Sequence, residues 1–259
     1  MRYVAVGDSF TEGVGDEQPD GSVRGWADLV AAGLATATGR RVQYANLAVR
    51  GRLLEPIVTE QVDRALALSP APTLISINGG GNDMLRPAAD MARLARLTER
   101  AVHRCLEAGV SVLLLAGADP SARLPLGRVM HRRGEELTAA VRGLAVREGL
   151  VFVDAWHDAE VRHAQYWSPD RLHLNAAGHQ RVAGLVLTAL GHAGSAYELE
   201  GGPTQRRRLL AEARYYREHV VPWVGRRVHG RSSGDARTAK HATWVDVEPT
   251  SLRSGAGQA

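Results

Sequence analysis

The chain has 259 residues, 44% hydrophobic and 23% charged, with a formal net charge of +4 from 32 basic and 28 acidic side chains. This is the profile of a soluble globular protein with length for one large domain, or one domain and an appendage. The single cysteine, Cys105, excludes an intrachain disulfide framework and a cysteine-built metal centre, no run nears the roughly 18 apolar residues of a membrane span, and the short apolar start before Asp8 is not a signal peptide, so a cytoplasmic protein is the expectation.

Apolar runs of strand length alternate with longer helix-like stretches along the chain. The strand candidates are Tyr3 to Val6, Val42 to Leu47, Thr73 to Ile77, Val110 to Ala116 and Leu150 to Val153. VSVLLLA at 110–116 is continuously apolar, as a strand buried on both faces requires. Helices are predicted over Trp26–Thr38, Leu54–Leu68, Ala88–Ala108, Val129–Glu148 and Ala176–Leu190. In the third of these, Leu94, Leu97, Ala101 and Ala108 recur at near-helical spacing, with arginines on the other face. Five strands separated by helices predict an α/β protein, a parallel sheet covered on both sides. Ligand sites in such sheets lie beyond the carboxyl ends of the strands, where this sequence places Gly7-Asp8-Ser9, Asn46 to Gly51, Asn78 to Asp83 and Gly117-Ala118-Asp119.

Near residue 200 the character changes. Gly201-Gly202-Pro203 reads as a linker. The chain is therefore divided into a domain over 1–200 and a basic helical extension with a disordered tail over 201–259. Within the extension, Thr204 to Val221 is a predicted helix capped by Thr204, and Ser251 to Ala259 is the disordered end.

Acyl transfer requires a nucleophile, a base, a group that orients the base, and donors for the oxyanion. Ser9 stands where the first strand enters a glycine-containing turn, GDSFTEG, so its hydroxyl can face the site; alternatively, Asp8 or Ser9 simply caps the following helix. In Asp170-Arg-Leu-His173 the histidine can act as base, and the aspartate three residues earlier can accept from its other ring nitrogen. Asp154 is a rival for that role. Asn82, in GGGND, offers an amide donor, and Gly51 a backbone N–H where a side chain would obstruct a substrate. Neither a GxxxxGK[ST] nor a GxGxxG phosphate loop occurs at the glycine run, and the G-x-S-x-G elbow of the α/β-hydrolases is absent. Trp26, Arg24 and Arg52 follow the first two loops and are candidates to line a pocket, with core packing the stronger reading for Trp26. Asp119 is read as a substrate contact or a turn cap, and His157 and His163 as rim residues. His179 is read as a packing or capping residue.

Taken together, GDSFTEG, NLAVRG, GGGND and DRLHLN, in that order over residues 1 to about 191, resemble the SGNH, or GDSL-type, esterase and lipase family. The resemblance implies a flavodoxin-like three-layer α/β/α sandwich with a five-stranded parallel sheet. It implies Ser9 as nucleophile, His173 as base, Asp170 as its orienting acid, and an oxyanion hole from the Ser9 N–H, the Gly51 N–H and the Asn82 side chain. The activity it implies is hydrolysis of a small-molecule carboxylic ester through an acyl-serine, with no metal or cofactor. A carbohydrate O-acetyl esterase, an acyl transferase and a non-catalytic binding protein remain alternatives, and substrate-binding residues are not legible.

The charge has a location. Residues 1–203 carry 21 basic and 23 acidic side chains, a net of −2, whereas residues 204–240 carry 10 and 3, a net of +7. The basic balance thus gives no reason to expect nucleic acid at the hydrolase site. It leaves two readings of the extension: docking on the acidic body or an anionic partner, or a solvated basic helix.

Overall fold

The structure, a computed structural model, describes residues 1–124, 127–192, 234 and 237–250. Its centre is a sheet of β1 (Arg2–Val6), β2 (Val42–Asn46), β3 (Leu74–Ile77), β4 (Ser111–Ala116), β5 (Val151–Asp154) and β6 (His241–Val247). The strand order is β5-β4-β3-β1-β2-β6. The first five strands pair in parallel, and β6 runs antiparallel to β2.

Each central strand alternates its side chains between two apolar layers. Tyr3 and Ala5 of β1 face a layer built with Trp26, Leu34, Val182 and Leu187, which belong to α2 (Trp26–Thr38) and α8 (Ala176–Ala189). Val4 and Val6 face the other layer, with Leu94 and Leu97 of α6 (Met91–Glu107) and Leu137 and Leu144 of α7 (Gly127–Glu148). The arginine face of α6 is left to solvent, as its periodicity predicts. The 54–66 stretch is helical but not uniform: α3 (Leu54–Pro56) passes through a π-helical turn (Ile57–Gln61) into α4 (Val62–Leu66). Two single-turn helices, α1 (Ser9–Glu12) and α5 (Gly81–Met84), follow β1 and β3.

The expected five-stranded parallel sheet is corrected to six strands with one antiparallel edge. The added strand comes from the segment read as a helical, disordered appendage. HATWVDV alternates poorly between apolar and polar, so only its pairing with β2 makes it a strand. Arg41–Asp246 at 2.9 Å and the edge-on ring pair Tyr44–His241 accompany that pairing. The predicted helix over 204–221, the linker at 201–203 and the tail over 251–259 lie outside the described residues.

Candidate active site

After β2 the chain returns to the far side of β1, so the strand order reverses beside β1 and a crevice opens beyond the carboxyl ends of β1 and β3. The loops that meet there hold the candidate residues. Asp8 caps α1, its carboxylate accepting the Phe10 N–H at 3.1 Å, which leaves Ser9 as the first helical residue with its hydroxyl turned into the crevice. The turn is clamped from beneath. The Gln61 side chain accepts the Gly7 N–H at 2.8 Å and donates to the Gly7 carbonyl at 3.0 Å. The π turn that carries Gln61 aims it there; π bulges often mark functional sites.

Ser9 Oγ lies 2.9 Å from His173 Nε2, and His173 Nδ1 lies 2.5 Å from Asp170 Oδ2. Asp170 also accepts the backbone N–H groups of Leu172 and His173 on Oδ1, each at 3.0 Å, which closes the turn and fixes the imidazole. Arg171 within this turn has φ 62°, the one positive-φ non-glycine residue among the described residues, a strained conformation held by the Ser168 and Asp170 hydrogen bonds around it. Burial works to raise the Asp170 carboxyl, but the hydrogen bond and charge of His173 and the two backbone donors outweigh it and hold it at about 2. An ionised Asp170 only accepts, so the proton sits on Nδ1 and Nε2 is left to accept from Ser9.

Asn82 is the second residue of α5 and lines the same cavity. Its amide donates to Asp8 Oδ2 at 3.1 Å and to the Arg52 carbonyl at 3.0 Å. Asp8 is buried, and desolvation lifts its carboxyl to about 6 against the bonds from Phe10 and Asn82. Gly51 occupies the third position of a turn closed by the Arg52 N–H to the Val49 carbonyl, with φ 77°, which favours glycine there. The turn touches Asn82 through Arg52 but Gly51 does not line the cavity. Glu12 at the end of α1 anchors this turn: it accepts the Arg50 N–H at 2.6 Å and pairs with the Arg50 guanidinium at 2.6 Å.

The remaining candidates go elsewhere. Asp154 accepts from His157 and Arg142, not from His173. Asp119 is buried and held by Ser121, His131 and Arg162. His163 lies 3.7 Å from Glu160. Trp26 is fully buried in the core, and Arg24 pairs with Asp16 at 2.9 Å. His179 is buried, with Nδ1 accepting from the Trp26 N–H at 3.3 Å and Nε2 donating to the Val14 carbonyl at 3.2 Å. Gln61, Glu12 and Arg50 escaped the sequence reading because each acts through a partner 38 to 54 residues away.

The profile of the GDSL-like lipase/acylhydrolase family matches residues 5–181. The GDSL-like esterase Rv1075c of Mycobacterium tuberculosis is 29% identical over 171 residues, covering 62% of this chain and 54% of that protein. The chain therefore spans about half the length of the curated relative it matches. Among solved structures, TesA superposes with a TM-score of 0.60 at 24% identity, over 73% of this chain and 98% of its own. The acetylxylan esterase Axe2 of Geobacillus stearothermophilus does so with 0.58 at 18%, over 74% and 95%. These two likenesses establish the fold. Among the described residues, no helix is long and apolar enough to cross a membrane.

Proposed function

We propose, from the premise that this chain belongs to the GDSL-like lipase/acylhydrolase family, that it is a serine esterase acting through an acyl-serine. The observation that carries this reading is the continuous hydrogen-bonded line Ser9–His173–Asp170, at 2.9 and 2.5 Å. His173 Nε2 takes the Ser9 proton as Oγ attacks the ester carbonyl, and the negative charge gathers on the former carbonyl oxygen. Asp170 stays ionised and stabilises the imidazolium. The imidazolium then protonates the departing alkoxide, leaving acyl-Ser9. Water gives its proton to Nε2, attacks the acyl carbon, and releases the acid as Ser9 regains its proton.

In this reading the Ser9 N–H and the Asn82 amide, both on the cavity wall, form the oxyanion hole, and the Gly51 turn, which lies off that wall, supports it by holding the Arg52 carbonyl against Asn82. The Asn82 amide already donates to Asp8 and Arg52, so the oxyanion shares one of those N–H groups in the transition state rather than meeting an idle one. This holds the amide in place before substrate arrives, which is how such donors contribute most.

The test is hydrolysis of p-nitrophenyl butyrate by the wild type and by Ser9→Ala, with folding checked by circular dichroism. The variant should lose on the order of 10⁴-fold or more in kcat. A folded variant at the wild-type rate refutes the assignment.

A further inference from the structure

The cavity that begins at Ser9 and His173 does not end there. It has a volume of about 120 Å³ and continues inward between the β3–β4 part of the sheet and the α6–α7 pair, past Ile77 and Leu137 to Leu114, Thr98 and Val141. Chain direction gives the depth. β4 ends near the rim at Ala116, so Leu114 lies two residues lower, about 7 Å. α7 runs the opposite way, so Val141 lies about 16 Å further along its axis than Met130, which also lines the cavity. Leu114, Thr98 and Val141 therefore form the floor.

Thr98, Asn78 and Trp156, three of the polar residues along this path, turn their polar groups to protein partners. The Thr98 hydroxyl donates to the Leu94 carbonyl at 3.1 Å, and the Asn78 amide to the Leu115 carbonyl at 2.8 Å. The Trp156 indole N–H donates to Glu135 at 2.8 Å, so its ring carbons are what the wall presents. The inner end suits hydrocarbon rather than a sugar or a charged acyl group.

We propose that this cavity is the acyl subsite and that it selects aliphatic acyl groups of about four to six carbons; the proposal rests on Ser9 being the acylated residue. An enclosed engineered apolar cavity of about 150 Å³ takes a six-carbon ring, so 120 Å³, which includes the mouth at Ser9 and His173, takes at most about five carbons beyond the carbonyl. An acyl carbon on Ser9 has its oxygen toward Asn82 and its leaving group toward His173, which leaves the chain to enter the cavity. An acetyl group leaves most of the space empty, and an octanoyl group overruns the floor.

The experiment is kcat/KM across p-nitrophenyl acetate, butyrate, hexanoate, octanoate and laurate, for the wild type and four variants. Each methylene that enters should raise kcat/KM about fourfold, giving a maximum at butyrate or hexanoate and a fall from octanoate onward. Val141→Phe should lower the hexanoate-to-acetate ratio at least tenfold, and Val141→Ala should move the maximum toward octanoate. Val146→Phe, on the 77% exposed outer face of the same helix, should keep the wild-type ratio. A Ser9-dependent profile that is flat or highest for acetate overturns the subsite while leaving the esterase intact, as does an unchanged profile in both Val141 variants. If Val141→Phe does not fold, the Val141→Ala profile decides alone. Hydrolysis that is absent throughout, or undiminished in Ser9→Ala, overturns the underlying esterase reading and the subsite with it.

Discussion

Lys240, the only lysine in the chain, is the residue through which the carboxy-terminal segment should matter most to the rest of the molecule. It stands directly before β6 and its ammonium is largely buried, with donors to the Glu12 carbonyl at 2.8 Å, the Val23 carbonyl at 2.9 Å and Asp28 Oδ2 at 2.7 Å. Lys240 and Asp28 are 14% and 20% exposed, so the pair is shielded enough that losing one partner leaves a charge poorly solvated. Nearby, a side chain at Gly234 would collide with the Arg50 carbonyl, so the same segment also packs on the turn that carries Gly51. Lys240→Met keeps most of the stem and removes the ammonium. Breaking a buried pair costs about 3–5 kcal/mol, and the residual exposure argues for about 3. At about 2–4 °C per kcal/mol for a chain of this size, Tm should fall by about 6–12 °C. Burial already raises the Asp28 carboxyl against the charge of Lys240. Without that charge it rises further, so the deficit should shrink as the pH falls and Asp28 takes up a proton. Calorimetry of Lys240→Met, Asp28→Asn and the double variant at pH 7 tests this. The double variant should recover much of the loss, because no unpaired carboxylate remains. A Tm change under about 2 °C in Lys240→Met, or strictly additive variants, refutes the reasoning.

Further outcomes concern the site and its surroundings. Asn82→Ala should lower kcat by about 10²–10³, and a loss below tenfold in steady-state hydrolysis would remove Asn82 from the oxyanion hole. Asp170→Asn should lower kcat by about 10⁴, since a neutral amide no longer fixes the Nδ1–H tautomer; a tenfold loss would point to a different orienting acid. Burial depresses His179 from 6.5 to about 4, so the unfolded chain binds this proton first and stability falls as the pH drops through that window. That contribution is about 3 kcal/mol. Denaturant unfolding at pH 7 and pH 4 should show it as a loss in the wild type that is absent from His179→Gln; equal losses would contradict it.

Strand and helix order were legible because burial on both faces of a parallel sheet demands continuous apolar runs, and VSVLLLA at β4 supplies one. Helix limits were close, with Ala88–Ala108 narrowing to Met91–Glu107 once Asp90 takes the cap. The candidate site was legible where its chemistry is local: Asp170 and His173 meet because a three-residue turn brings them together, whatever the rest of the fold does. Contacts between distant residues were not. Ser9 and His173 are separated by 164 positions, and the motifs alone do not establish that they touch; the reversal of strand order beside β1 does. The role of Gln61 depends on a π turn with no sequence signature, and the Leu114–Thr98–Val141 floor depends on how two helices lie on a sheet. The composition break near residue 200 marked where charge changes but not where the fold ends. β6 and Lys240 are held by a partner strand and a buried aspartate, and pairing of that kind is a property of the tertiary structure.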